Sequence, residues 1–276
     1  MTIRAVHHLN CATMCPVAGF FLGGPAFGRG HMIAHCLLVE TERDGLVLVD
    51  TGFGTRDVDG ATPLSTAFRT LVGPTLDRTE TAVAQVAALG FSPADVRHVV
   101  VTHLDLDHAG GLCDFPDAQV HLHAREHAAA MARGSFKERE RYIRAHWAHG
   151  PRWELYQEDG DTWRGLPAVT RLRGLDADFA LVPMHGHTRG HSAIVVRDRD
   201  RWLVHAGDAY FHRHSIDGAG RVPTGFSAFE RAMQTDGPAR RASLAALRQL
   251  HASHTDVAVF CAHDVGELAA FSSPRA

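Results

Sequence analysis

The chain lacks the stretch of about 20 apolar residues that a membrane span requires. Its first residues, Met1-Thr2-Ile3-Arg4-Ala5-Val6-His7-His8, hold no apolar core of signal-peptide length, so a cytoplasmic location is expected. An excess of one charge is also missing. The formal net charge is only −3, which gives no reason to expect a nucleic-acid partner. Cysteine is scarce and odd in number, at 5; without an export signal this points to free thiols rather than bridges. Cys11 and Cys15 have no second pair to complete a zinc signature. Internal repeats and low-complexity segments are absent. In contrast, 21 histidines are present, and 45% of the residues are hydrophobic, sufficient for a large buried core.

The histidines are not spread evenly. Thr102-His103-Leu104-Asp105-Leu106-Asp107-His108-Ala109-Gly110-Gly111 follows the apolar run Val99-Val100-Val101. A charged cluster at the end of a buried strand is costly unless something pairs with it, and a divalent cation satisfies many lone pairs at once. His103, Asp105 and Asp107 alternate, so an extended segment would hold them on one side, with His108 turned to a second position. That pattern suits two metals better than one. Further on come Gly186-His187-Thr188-Arg189-Gly190-His191, Ala206-Gly207-Asp208-Ala209-Tyr210 and Phe260-Cys261-Ala262-His263-Asp264. Each again follows a short apolar run. A solvated charged loop would explain one such segment but not four.

These motifs resemble those of the metallo-β-lactamase-fold hydrolase superfamily. Its first metal motif, His-x-His-x-Asp-His, reads here His103-x-Asp105-x-Asp107-His108, with aspartate in place of the second histidine. The Gly-His-Thr-x-Gly-His motif is intact, and Leu48-Val49-Asp50-Thr51-Gly52 matches an early Asp-Thr-Gly element. The similarity runs from about Leu37 to Asp264, with the elements in the family's order. It implies a four-layer αβ/βα sandwich, an α/β fold. It also implies that one metal takes His103, Asp105 and His187, the other takes Asp107, His108 and His263, and Asp208 bridges them. A hydroxide between the metals would then attack a small ester- or lactone-type bond, with Asp107 and Asp208 as catalytic groups. The small lactonase-like members are closest in shape, since Asp-Ala and a nearby tyrosine also follow their bridging aspartate. Tyr210 arrives one residue sooner; it is either a donor to the developing oxyanion or a buried aromatic. The resemblance makes Asp50 an orienting residue and His191 a structural one. His121, His123, His185, His212 and His214 read as surface or packing residues.

Asp105 is the departure from the pattern. A carboxylate adds one negative charge to the first metal's shell. Two divalent ions, zinc foremost, are expected, but this charge favours iron or manganese relative to the usual pattern and makes a shared water less acidic. Flavodiiron-type members also carry a carboxylate there, so an iron-dependent oxidoreductase is the alternative, although the flavin domain they need is missing from this chain. Phosphoester and β-lactam hydrolysis remain open, because fold does not set substrate.

A single domain over 1–276 is expected, since residues from 103 to 263 must converge. Strands are predicted over 31–39, 46–50, 119–123, 192–197 and 202–205, and another ends at Thr102. Helices are predicted over 79–89, with Thr79 as cap, and over 124–133, 238–251 and 265–271. Residues 134–165 hold Trp147, Trp153, Trp163, Tyr142 and Tyr156 among many charges. They read either as a lid gripping an apolar substrate portion or as an inserted segment packing on the body or on a second subunit. The expected partner is a small-molecule substrate, and a homodimer is compatible with the composition.

Overall fold

A computed structural model describes residues 3–25, 27–176 and 178–272. Among the described residues, twelve strands form two six-stranded sheets. The first contains β1 (Ile3–Met14), β2 (Met32–Thr41), β3 (Leu46–Val49), β4 (Val96–Val100), β5 (Gln119–His123) and β6 (Arg152–Tyr156), paired in that order. The second contains β7 (Asp161–Trp163), β8 (Leu166–Arg171), β9 (Phe179–Pro183), β10 (Ser192–Asp198), β11 (Arg201–His205) and β12 (Val257–Phe260), likewise in chain order.

The layering follows from side-chain alternation. In β3, Val47 and Val49 join the layer between the sheets, while Leu46 and Leu48 face outward to a second apolar layer. In β10, Ile194 and Val196 point inward, and Ala193 and Val195 point out. Because both faces are buried, the central strands read as continuous apolar runs rather than as alternating ones. Helices Ala82–Ala88 and Ala124–Ala132 supply buried residues to the outer layer of the first sheet, and helix Gly237–Ser253 covers the second. The result is helix, sheet, sheet, helix, the four-layer α/β sandwich implied by the motifs.

Several expected boundaries shift. Thr81, not Thr79, caps helix Ala82–Ala88, with its hydroxyl accepting from the Ala84 N–H. Thr79 lies in the preceding turn, bonded to Asp77. The segment after β4 is not extended. Asp105 is the N-cap of a short helical turn, Leu106–Ala109, which carries Asp107 and His108. Residues 134–165 are built into the body, with β6 and β7 within them forming edge strands of the two sheets. Their aromatics pack on the body. Tyr142 and Trp147 are buried against the first sheet's outer layer, Tyr156 lies between the sheets, and Trp163 packs on Trp202. Among the described residues, no helix is long and apolar enough to cross a membrane.

Strand direction gathers the motifs at one edge. β9 and β11 are both antiparallel to β10, and β12 is parallel to β11. The loops after β9, β11 and β12 therefore emerge together, carrying His187, Asp208 and His263. The first sheet is tied to this edge by backbone bonds from Ser192 N–H to Thr102 O, 3.0 Å, and from His35 N–H to Ala262 O, 2.8 Å.

Candidate metal centre

Four loops bring His103, Asp105, His187 and Asp208 into one group, and Asp107, His108 and His263 into another. All are buried except Asp107, whose side chain is 15% exposed. Asp208 lies between the groups. Its Oδ2 is 3.3 Å from His187 Nε2 and 3.8 Å from His103 Nε2, while its Oδ1 is 3.2 Å from His108 Nε2 and 3.1 Å from His263 Nε2. Asp105 Oδ2 lies 3.0 Å from His187 Nε2 and 3.4 Å from His103 Nε2. Asp107 Oδ2 lies 3.9 Å from His108 Nε2 and 3.8 Å from His263 Nε2. A tetrahedral ion with donors at about 2.0–2.2 Å separates them by about 3.3–3.6 Å, close to these spacings.

The surrounding bonds decide which ring nitrogen faces inward. His108 Nδ1 donates to Asp50 Oδ2 at 2.8 Å, and His263 Nδ1 donates to Ile33 O at 2.7 Å. His103 Nδ1 pairs with the Thr102 hydroxyl at 2.9 Å, and that hydroxyl donates to Asp50 Oδ2 at 2.8 Å. Each of these three imidazoles thus turns an Nε2 lone pair toward the cluster, as metal-binding histidines do. His187 Nδ1 has no partner. Asp50 also accepts the Thr102 N–H at 2.7 Å. It holds φ at 56°, a left-handed conformation that a non-glycine residue adopts at a cost where surrounding bonds over-determine it. Asp50 therefore orients His108 and His103 without entering the cluster.

His191 is structural. Its Nδ1 donates to Met184 O at 2.8 Å, and its Nε2 accepts the Asp208 N–H at 2.9 Å, fixing the backbone of the central carboxylate. Gly207 is needed beside it: φ is +51°, and a Cβ there would lie 2.6 Å from His191 Nε2.

The electrostatics are tightly linked. Burial pushes the Asp208 carboxyl up, but His263, His108 and His187 outweigh it and hold it well below the usual carboxylate range. For Asp105, burial is again outweighed, first by Arg141 and then by His103. Burial pulls His187 down to about 4 against the opposing pull of Asp208. His103 Nε2, His108 Nε2, Asp105 Oδ1 and Asp208 Oδ1 are buried with no hydrogen-bond partner. Orphaned lone pairs on this scale are destabilising, and a pair of divalent cations would satisfy them. The donor set fits such a pair.

Tyr210 departs from the expectation of a catalytic donor. It is fully buried in the second sheet's outer layer, and its hydroxyl donates to Glu267 Oε1 at 2.9 Å. The aromatic neighbour of the cluster is Phe211, whose ring packs against His187 and His263 with centroids 5.9 Å and 4.7 Å away. His121 and His123 are buried rather than superficial.

Sequence reasoning missed two contributors. Glu126, fully buried, accepts the N–H groups of Leu104 and Gly190 and the Tyr142 hydroxyl, tying the two histidine loops together. Arg141, 3% exposed, places Nε 3.2 Å from Asp105 Oδ1. Both sit among ordinary helical charges in the sequence, and no spacing signal marks them.

A family model for the metallo-beta-lactamase superfamily matches residues 29–263. The chain belongs to that superfamily. A probable metallo-hydrolase of Mycobacterium tuberculosis is 44% identical over 262 residues, covering 94% of this chain and 80% of that protein. The N-acyl homoserine lactonase AttM of Azorhizobium caulinodans is 35% identical over 125 residues, 45% of this chain and 44% of that one. Among solved structures, an N-acyl homoserine lactone hydrolase with N-hexanoyl-L-homoserine at its metal centre aligns with a TM-score of 0.73. It is 19% identical and covers 99% of this chain and 98% of that one. The dizinc lactonase AidC aligns with a TM-score of 0.56 at 16% identity, over 95% and 86% of the two chains. This metallo-β-lactamase-fold chain is a metallohydrolase.

Proposed function

We propose that the protein hydrolyses a small ester or lactone at a pair of divalent cations, most simply zinc. His103, Asp105 and His187 would hold one cation, Asp107, His108 and His263 the other, and Asp208 would span the two. The observation that carries this reading is the central carboxylate, which lies 3.1–3.8 Å from imidazoles of both groups, with His263 near both of its oxygens. The lactonases among the relatives and structural neighbours support the choice of bond.

When bound, the two cations supply Lewis acidity, acidifying a water and polarising the carbonyl oxygen. The chain's own residues do the rest. Asp50 and Thr102 keep His108 and His103 in the tautomer that leaves Nε2 free. Asp107, at the exposed rim, takes the proton released when the water oxygen bonds to the carbonyl carbon. It returns that proton to the alkoxide oxygen as the ester C–O bond breaks. Phe211, packed against His187 and His263, and Leu106, between Asp105 and Asp107 in the chain, would meet the substrate's hydrocarbon part.

The test is elemental analysis of the purified protein followed by turnover on ester, lactone, thioester, phosphoester and β-lactam substrates. About two equivalents of metal, turnover on esters or lactones and no oxygen consumption are expected. If metal-replete protein turns over no ester or lactone, or if Asp208→Ala leaves turnover unchanged, the reading fails. Iron with oxygen consumption would instead establish an oxidoreductase.

A further inference from the structure

The helix Phe136–Arg141 is fastened over the loop that carries His187. Arg189 Nε donates to Glu138 Oε1 at 2.6 Å, and Lys137 Nζ donates to Ala232 O at 2.6 Å and Gln234 O at 2.7 Å. At its last residue, Arg141 turns inward. Its Nη1 donates to His187 O and its Nη2 to Met233 O, both at 3.1 Å. These bonds fix the guanidinium, and its remaining nitrogen faces Asp105 Oδ1 at 3.2 Å. The contact is an ion pair rather than an aligned hydrogen bond, since neither atom has a hydrogen-bond partner. The carboxylate is thereby divided, with Oδ1 toward the guanidinium and Oδ2 toward His187 and His103.

From this geometry we infer that Arg141 converts Asp105 into the electrostatic equivalent of a neutral ligand. One buried negative charge and one buried positive charge together replace the uncharged imidazole that the family motif carries at this position. Arg141 is a positioning residue: it presents a single oxygen of Asp105 to the first cation and cancels the charge that the aspartate adds. The expectation from sequence, that Asp105 makes the first shell more negative and favours iron or manganese, counts the carboxylate without its partner. The segment 134–165 thus contributes a counter-charge to the site.

The inference rests on the metal-centre reading, so the test separates the two. Wild type, Arg141→Met, Asp105→His and Asp105→His/Arg141→Met are loaded with cobalt(II), and the visible absorption of the ion is recorded. In Arg141→Met, both oxygens of Asp105 become available, the coordination number rises, and the visible bands weaken several-fold while cobalt stays bound. The double variant recovers the intensity. An unchanged spectrum in Arg141→Met, or no recovery in the double variant, overturns the inference. If the wild type binds no cobalt, the metal-centre reading itself fails.

A metal-free comparison covers the case in which Arg141→Met does not fold. Asp105→His alone leaves a buried guanidinium without its counter-charge, so its melting temperature falls. Removing Arg141 as well raises it again. If the double variant melts no higher than Asp105→His, the pair is not coupled and the inference is wrong.

Discussion

Among the described residues, the buried cluster and a more exposed group both combine histidines with carboxylates, and they differ in what their donor atoms are doing. In the buried cluster, the Nδ1 atoms of His103, His108 and His263 are engaged from outside, turning each Nε2 inward; those of His103 and His108 have no hydrogen-bond partner, and that of His263 meets Asp208 Oδ2 at 3.2 Å. In the second group, His123, Glu158 and His185, one ring is held the same way, since His185 Nδ1 meets His191 O at 3.2 Å, but the shared carboxylate is already claimed. His123 Nδ1 accepts the Arg125 N–H at 3.1 Å, and Arg125 Nη1 claims Glu158 Oε1 at 2.8 Å. His185 Nε2 meets the same carboxylate oxygen at 2.9 Å. The first group leaves His103 Nε2, His108 Nε2, Asp105 Oδ1 and Asp208 Oδ1 buried without a partner, whereas in the second His123 Nε2 alone is so placed and the carboxylate, 44% exposed, is held by Arg125 and His185. Residue types within reach of one another are therefore not enough. The partners each donor already holds, together with its burial, decide whether a site is open to a cation.

Four substitutions would break or sharpen that contrast. The largest effect is expected from Asp208→Ala, which removes the carboxylate shared by both halves. kcat/KM should fall on the order of 10^3-fold or more, with metal content reduced and far-UV circular dichroism retained. Asp50→Ala attacks only the outer bonds of the cluster. It should weaken metal binding on the order of 10–100-fold in chelator competition, because His108 and Thr102 lose their acceptor.

Glu267 provides a contrast with Asp208. Asp208 is ringed by imidazoles and held low, whereas burial pushes Glu267 up to about 7, with Asp264 adding to the effect. Its ordinary value is 4.5. A raised carboxyl stabilises the fold fully below about pH 4.5, and that contribution is lost as pH rises through about 7. The loss amounts to up to about 3 kcal/mol. Urea melts at pH 5 and pH 7.5 should show this fall in wild type and a flatter dependence in Glu267→Gln. The smallest effect is expected from Glu158→Gln. Metal content should be unchanged, activity should stay within about twofold, and stability should shift by about 0.5 kcal/mol or less, as for other exposed ion pairs.

Some of the fold was legible because burial writes itself into composition. β2, β3, β10 and β11 are covered on both faces, so Leu46-Val47-Leu48-Val49 and Ile194-Val195-Val196 announce strands. Three of the four edge strands do not, β12 being the apolar exception. β1 includes His7, His8 and Asn10 and is only partly buried, while β6 and β7 mix tryptophan with charge. An edge strand has a neighbour on one side only, and its pattern weakens accordingly. The helical turn at Leu106–Ala109 was hidden for a local reason. His103, Asp105 and Asp107 alternate as they would in a strand, yet Asp105 ends the extended stretch as an N-cap.

The sequence by itself determined the chemistry: seven imidazole and carboxylate donors, each at the end of an apolar run, with Asp105 as the departure from the family motif. Those assignments are local, since ligand type and strand-end position are carried by neighbouring residues. Only the tertiary structure decided which nitrogens face inward, that Tyr210 belongs to Glu267, and that Arg141 reaches Asp105 from a separate helix. Such pairings depend on where distant segments are packed, and a charge 36 positions along the chain has no periodicity that would reveal its partner.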